Sequence, residues 1–307
     1  MNTKRTFFYT MLAAGLLASC TNDELADNPL ADGPVAAQVT ADISQTLTRV
    51  SANANGISAS FTNGDIINVV ADGSATYVYT LQDNGTTWSA GNNPYYFQNR
   101  DIVSFQAWYA APGYKKTSNA IEINTKNQTV SSGWNQWDIL ATPVVKTDVT
   151  SPTVDFTGTN AFSHVMTQVT MVFKKGDGIS DLAALEGYTL KSLTTDATFN
   201  TLNCTLTPRT TTGDITVTDI SASGTEYTCT PLILVPQTVT GTIALEVAYN
   251  SQTYKAELNA PTAGLQAGYS YTYTVTVSNT KLEVSNAAIS DWRTDRDFNG
   301  NGNATLR

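Results

Sequence analysis

The sequence predicts an all-β protein of short, mostly antiparallel strands, and three observations support this. Charged residues make up only 14% of the 307 residues, against about 25% in an average soluble domain. Glu, Lys and Arg, which favour helices, are scarce, whereas Thr and the aromatic residues, which favour strands, are abundant. Apolar and polar residues also alternate over many short segments, which is the pattern of strands with one buried face.

The first twenty residues have the pattern of a bacterial lipoprotein signal. Two basic residues precede an apolar stretch at 7–17. This stretch is shorter than the roughly 20 residues that span a bilayer and fits a secretory signal. The letters L-A-S-C at 17–20 resemble a lipobox, so we expect removal of residues 1–19 and lipidation of Cys20. The alternative is an ordinary signal peptide with a chance cysteine.

An acidic segment, residues 20–34, follows as the predicted tether. Asp23 and Glu24 lie close to the expected lipid, and such residues resemble the signal that exports some lipoproteins to the outer face of the outer membrane. Several acyl chains on one cysteine anchor a protein stably. We therefore expect an outer membrane lipoprotein precursor that reaches the cell surface, although a plain acidic tether would have the same composition.

A first strand is predicted after the tether, at residues 35–47. Its apolar residues recur on one face, namely Val39, Ala41, Ile43 and Leu47. Arg49 and Val50 follow, and Arg49 is the one basic residue between positions 6 and 99. A trypsin-like protease that cuts after Arg49 would leave the strand held by non-covalent contacts alone.

Loss of that strand would open a groove with apolar pockets and unpaired backbone groups. Such an edge is a template for a strand from another chain, in which backbone hydrogen bonds give affinity and alternating pockets give specificity. In the alternative interpretation, Arg49 is an ordinary surface residue in a loop.

The remaining strands predicted by alternation lie at 65–71, 75–82, 102–109, 138–145, 165–173, 187–194, 197–207, 213–220, 226–235, 242–249, 271–277 and 281–290. One short helix of about two turns is predicted at 180–186. The chain length suggests two domains. A polar stretch at 157–160 divides them into residues 35–160 and 161–292, and a polar tail, residues 293–307, completes the chain.

Composition and motifs argue against several functions. A net charge of −9 opposes nucleic-acid binding, which needs clustered Lys and Arg. The single His164 is in phase with Phe162 and Met166, so we expect a core or interface residue, and no nucleophile motif indicates an enzyme. We expect no cofactor.

Two further sets of residues resemble a metal site and a disulfide pair. Asp295, Asp297 and Asn299 open like a calcium loop, but Leu306 stands where the bidentate Glu belongs, so we expect no metal. Cys204 and Cys229 are both predicted to point inward. Outside the cell they could form a disulfide, and two buried thiols fit equally well.

Aromatic residues concentrate in the first half of the chain, at Trp88, Tyr95, Tyr96, Trp108, Tyr109, Trp134 and Trp137. Core packing would explain most of them. Exposed platforms of this kind would instead indicate the alternative function, a surface glycan-binding lipoprotein of a polysaccharide-uptake system.

Five features of the sequence occur together: the lipobox, T-R-V at 48–50, G-D-I-I-N-V at 64–69, F-S-H-V-M-T-Q-V-T at 162–170, and the closing segment 265–292. In these features the chain resembles the fimbrillin family of Mfa-like, type V pilus subunits. The resemblance implies two tandem transthyretin-like β-sandwich domains, lipoprotein export, removal of the first strand by an Arg-specific protease, and assembly with other fimbrial subunits by strand addition. It also implies a role in adhesion, with a receptor that the sequence does not identify.

In this family the inserted strand generally comes from the C-terminal end of a neighbouring subunit. The matching positions are Leu282, Val284, Ala287 and Ile289, up to Trp292. The polar tail beyond them has no apolar face. Either residues 281–292 are the donor strand, or the subunit passes no strand onward, as in a tip or accessory subunit.

Overall fold

The computed structural model describes residues 33–43, 60–83, 85–110, 114–128, 137–218 and 220–292, and it confirms the all-β class. The strands of the first half are β1 (Val35–Ala36), β2 (Gln38–Ala41), β3 (Ile66–Ala71), β4 (Ala75–Leu81), β5 (Trp88–Ser89), β6 (Tyr96–Phe97), β7 (Val103–Ala110), β8 (Lys116–Thr117), β9 (Ala120–Asn124), β10 (Ile139–Ala141), β11 (Val145–Thr147), β12 (Thr153–Phe156) and β13 (Ser163–His164).

The strands of the second half are β14 (Thr167–Lys175), β15 (Leu185–Thr194), β16 (Asp196–Asn200), β17 (Thr205–Pro208), β18 (Thr212–Val217), β19 (Glu226–Thr228), β20 (Leu232–Leu234), β21 (Thr242–Tyr249), β22 (Gln252–Asn259), β23 (Tyr269–Val277), β24 (Leu282–Val284) and β25 (Ala288–Asp291). Most pairings are antiparallel, as predicted. Among the described residues, β2 pairs with β12 and β14 pairs with β23 in the parallel direction.

The first half is built on a sheet with the order β13-β10-β7-β3-β4-β5, in which β11 also pairs with β7. One face of this sheet packs on a core that contains Phe97, Phe105, Phe156 and Phe162, all fully buried. The residues that face this core alternate along β3 and β7, at positions 67, 69 and 71 and at positions 103, 105 and 107. The opposite face of both strands is also partly buried, because Val70 and Trp108 pack in another core.

The second half contains two sheets around a second core. Their orders are β19-β14-β23-β24, with β20 and β25 alongside, and β18-β15-β21-β22. Long alternating strands supply this core, and Met171, Phe173, Tyr271 and Tyr273 are almost completely buried in it.

A fourth sheet joins the two halves. Its order is β17-β16-β9-β8, so strands from both sides of residue 160 share backbone hydrogen bonds. A third core lies at this junction and includes Trp108 from the first half and Phe199 from the second. The predicted division at residue 160 stays a prediction. Phe162 and β13 follow that position in the chain but still belong to the first core and the first sheet.

A buried glutamine strengthens the same junction. The Gln128 side chain accepts a hydrogen bond from Ile233 N at 2.9 Å and donates to Ile233 O at 2.7 Å. It therefore pairs with the backbone of Ile233 as a neighbouring strand would, and it satisfies polar groups that would be costly to bury unpaired.

The structure corrects the predicted helix at 180–186. Among these residues, 180–184 form turns and Leu185 begins β15. The Asp181 side chain accepts a hydrogen bond from Ala183 N, which stabilises a turn instead of a helix. A segment of two turns gains too little from its own hydrogen bonds to form a helix where tertiary contacts favour a strand.

Proline also divides two of the predicted strands. Pro143 separates β10 from β11 and Pro231 separates β19 from β20, where the sequence predicts continuous strands at 138–145 and 226–235. Proline has no N–H group to donate to a neighbouring strand, so pairing is interrupted at each position.

Candidate functional site

The N-terminal segment forms strands, as predicted, and it lies on the first core. Residues Val35 and Ala36 pair with β6 in the antiparallel direction, and residues 38–41 then pair with β12 in the parallel direction. A single bridge between Ile43 and Phe162 extends this pairing. We call residues 33–43, together with β6, β12 and Phe162, the first-strand site.

Side chains of the segment alternate between the core and solvent. Val39 and Ile43 are buried and Ala41 is half-buried, in agreement with the predicted face. Ala37 is also buried; it has the same phase as the predicted residues but was not among them. Leu47 lies outside the described residues.

Backbone hydrogen bonds hold the segment at both ends. Ala37 N donates to Tyr95 O at 2.8 Å, Gln38 N donates to Pro152 O at 2.9 Å, and Asp42 N donates to Phe156 O at 3.0 Å. The first two bonds mark the place where the chain changes its partner from the β6 side to the β12 side, and the third extends the pairing with β12.

The two strands that hold the segment have no other strand partner among the described residues. β12 pairs only with β2, and β6 pairs only with β1. Departure of residues 33–43 would therefore leave both strands with unpaired backbone groups beside an apolar surface.

Several predicted site residues cannot be placed in this geometry. Cys20, Arg49 and Val50 lie outside the described residues, as do Asp295, Asp297 and Asn299 of the calcium-like segment. Trp134 also lies outside them. The lipidation site, the cleavage site and the expected absence of a calcium site therefore stay predictions.

The candidate donor residues lie on two edge strands of the second half and, for Ala287, in the connection between them. Both β24 and β25 pair with β23 in the antiparallel direction. Leu282, Val284 and Ala287 pack partly against the second core, whereas Ile289 is 42% exposed. In the chain as described, this segment is thus tied into its own fold.

Trp292 anchors the end of that segment at the junction between the halves. Its backbone N–H donates to Gly268 O at 2.6 Å, and its ring stacks on His164 with a centroid distance of 4.0 Å and an interplanar angle of 7°. His164 Nδ1 lies 2.7 Å from Asp138 Oδ1, and both side chains are buried.

His164 is therefore an interface residue, as the sequence predicts. Its partner could not be predicted from the sequence, because Asp138 lies 26 positions away and only the pairing of β10 with β13 brings the two together. Trp292 stacks on one face of the His164 ring and Asp138 contacts its Nδ1 edge, so the two neighbours fix the ring in a structural arrangement.

Most described aromatic residues of the first half pack in the interior. Trp88 and Trp108 are buried, Tyr95 packs edge-on against Phe97 and Phe105, and Tyr96 is the most exposed of the set at 41%. Edge-on packing in a core differs from the flat, exposed surface that sugar binding requires. The described aromatic residues therefore favour the core-packing explanation.

The two described cysteines are free thiols in different cores. Cys204 belongs to the junction core and Cys229 to the second core. Burial raises the pKa of each thiol to about 12. Both groups remain protonated at neutral pH and are therefore weak nucleophiles.

We expect neither thiol to react with a thiol reagent at pH 8 while the protein is folded. With a pKa of about 12, roughly one thiol in ten thousand is ionised at that pH. Ellman's reagent, applied to a Cys20→Ala form, should detect two thiols only after guanidinium unfolding. Detection of none after unfolding would indicate a disulfide and contradict the structure.

The described residues contain no helix that is both long and apolar enough to cross a membrane.

Comparison with known proteins gives consistent matches. Residues 48–292 match the model of a family described as fimbrillin-like. A relative from Bacteroides uniformis, assigned as fimbrium subunit Fim1C, is 26% identical over 327 aligned positions, which cover 98% of this chain and 99% of that protein. The matched family region begins after β2, so the first strands lie outside it.

Two crystal structures of proteins assigned to cell adhesion have a similar fold. The one from Bacteroides uniformis has a TM-score of 0.64 and 22% identity, and the match covers 85% of this chain and 100% of that one. The one from Bacteroides ovatus has a TM-score of 0.63 and 19% identity, and the match covers 86% and 100%. Both likenesses support the all-β fold.

Proposed function

The chain belongs to the fimbrillin-like family, and from this premise we propose that it is a structural subunit of a fimbrium at the cell surface, without catalytic activity. The observation that carries the proposal is the first-strand site. A short N-terminal segment there is the one strand partner of both β6 and β12 among the described residues. The assignment of its relative as a fimbrium subunit supports the same function.

Assembly proceeds, in this proposal, by exchange of the first strand. An Arg-specific protease cuts between Arg49 and Val50, the segment leaves, and a strand from another fimbrial subunit takes its place. The energetic basis is the exposed edge: β6 and β12 regain their backbone hydrogen bonds, and the first core is covered again.

The same cut would also release the subunit from the membrane. Cys20, the proposed lipid attachment site, lies on the N-terminal side of Arg49. Residues 20–49 thus carry both the anchor and the first strand. One cleavage frees the body of the subunit and opens its groove, so an outer membrane precursor becomes a subunit of the fibre.

The C-terminal segment suggests a tip or accessory position. β24 and β25 are paired with β23, and Trp292 is buried against His164. A stalk subunit would have to give up these contacts in order to donate residues 281–292. A tip or accessory subunit can keep them, because it accepts a strand and passes none onward.

Limited proteolysis tests the proposal. Mild trypsin treatment of the folded precursor is expected to cut after Arg49, giving a body that begins at Val50. The fragment 20–49 should co-elute with the body in native gel filtration, because β1 and β2 hold it without a covalent link, and it should separate in denaturant. Mass spectrometry identifies both pieces.

A folded precursor whose bond after Arg49 resists trypsin, while bonds elsewhere are cut, would contradict the proposal. So would a fragment that dissociates at once without denaturant, because the strand would then contribute little to holding the fold together.

A further inference from the structure

The first-strand site selects a small side chain at one end. Ala37 is 5% exposed, its N–H donates to Tyr95 O at 2.8 Å, and its carbonyl accepts from Tyr79 Oη at 3.3 Å. Because the backbone is held on both sides, it cannot move away to admit a larger side chain. A bulky residue here would overpack the core.

Branched side chains fill the middle and the other end of the site. Val39 is 6% exposed and stands in register with the fully buried Val154, and Ile43 is 9% exposed beside the fully buried Phe162. An alanine at either position would leave a cavity in the first core. The half-buried position of Ala41, in register with Phe156, again holds a small residue.

Hydrogen bonds add a second set of requirements. The N–H groups of Ala37, Gln38 and Asp42 all donate, so proline at any of these positions would lose a bond. Thr40 Oγ1 also donates to Asp155 Oδ1 at 2.8 Å. Hydrogen bonds from Thr157 and Thr40 lower the pKa of Asp155, so this carboxylate is a charged acceptor for a hydroxyl at position 40.

The chain's own C-terminal segment meets these requirements poorly. In its best register, Val284 and Ser285 fall at the positions of Val39 and Thr40. That register places Leu282 at the position of Ala37, Asn286 at that of Ala41 and Ala288 at that of Ile43. No register that keeps all four core-facing positions within residues 281–292 makes all four of them apolar.

We propose that the first-strand site accepts a strand with a small residue, valine, a small residue and isoleucine at alternating positions, and with a hydroxyl side chain between the second and the third of them. This strand comes from a different kind of subunit and not from a second copy of this chain. The strand runs parallel to β12, as β2 does. The inference rests on the proposed function, since the site must first be vacated.

The uncut chain tests the selectivity without any cleavage. Ala37→Leu is expected to raise the equilibrium constant for unfolding by at least about 10-fold, because the larger side chain overpacks the core. The matched control is Gln38→Leu, at the neighbouring exposed position, for which we expect less than about a threefold change. Equal effects of the two changes in urea unfolding would overturn the selectivity, whether or not the chain is ever cut.

The chain nicked by trypsin after Arg49 tests the identity of the partner. Labelled peptides with the sequences 33–47 and 280–292 are added, and their exchange into the site is followed by fluorescence anisotropy. We expect the 33–47 peptide to bind. Its Ala37→Leu form should bind at least about 10-fold more weakly, and its Thr40→Val form about threefold more weakly.

The outcomes separate the two proposals. A 280–292 peptide that binds as tightly as the 33–47 peptide would make a second copy the occupant and overturn the inference, while the proposed function would stand. Failure of every peptide to enter, including 33–47, would contradict strand exchange itself. The unfolding comparison of Ala37→Leu with Gln38→Leu would still report on the selectivity of the site.

Discussion

Arg49→Ala is expected to leave the protein folded and to abolish its assembly into fibres. The change touches none of the contacts described for the first-strand site, so the unfolding midpoint should not move. A protease that recognises the guanidinium group loses its target, and no other basic residue lies between positions 6 and 99 to replace it. The first strand then stays covalently attached and keeps the groove occupied.

The effect is measured by counting fibres on the cell surface and by detecting ladders of high-mass polymers of the subunit on denaturing gels. Arg49→Lys separates the classes of protease, because trypsin still cuts after lysine whereas an Arg-specific enzyme does not. Arg100→Ala is the matched control at the next arginine along the chain, and it should assemble normally. Normal assembly of the Arg49→Ala protein would refute processing at this site.

Phe162→Ala is expected to lower the free energy of unfolding by about 3–5 kcal/mol. The Phe162 ring is fully buried, with its centroid 5.2 Å from that of Phe61 and 6.0 Å from that of Phe156. Its N–H donates to Asp42 O at 2.9 Å, so the residue joins the first core to the N-terminal segment. Removal of the ring leaves a cavity directly beside Ile43.

Urea unfolding followed by circular dichroism measures this loss. Phe162→Leu keeps most of the volume and should cost less than about 1.5 kcal/mol. Tyr96→Ala removes a ring that is 41% exposed and serves as the control for a partly solvated aromatic residue, with an expected loss of about 1 kcal/mol. Equal losses for Phe162→Ala and Tyr96→Ala would contradict the described packing.

The alternation of apolar residues predicted the principal strands well. It placed β3, β4, β7, β14, β21 and β23 within about two residues of their observed bounds. It missed β22, in which Tyr254, Ala256 and Leu258 alternate with polar residues and face the second core. Only these three of its eight residues are apolar and five are exposed, so the apolar face of this edge strand is short and its pattern is weak.

Contacts between distant parts of the chain could not be predicted from one sequence. The bond from Thr40 to Asp155 spans 115 positions, and the pairing of β9 with β16 joins strands more than 70 positions apart. The predicted face of the first strand, by contrast, needed only local information, and Val39 and Ile43 are buried as expected. Local patterns therefore identified which residues face the core but not which residues they meet.

The sheet β17-β16-β9-β8 has a mechanical consequence. Because strands from both halves exchange backbone hydrogen bonds in it, the halves cannot swivel about the connecting chain near residue 160 without breaking that ladder. A pulling force applied at the N-terminal groove would reach the second half through these bonds and through the third core. Each molecule would then behave as one stiff link, and the bending of any filament made from such links would occur at the joints between neighbours.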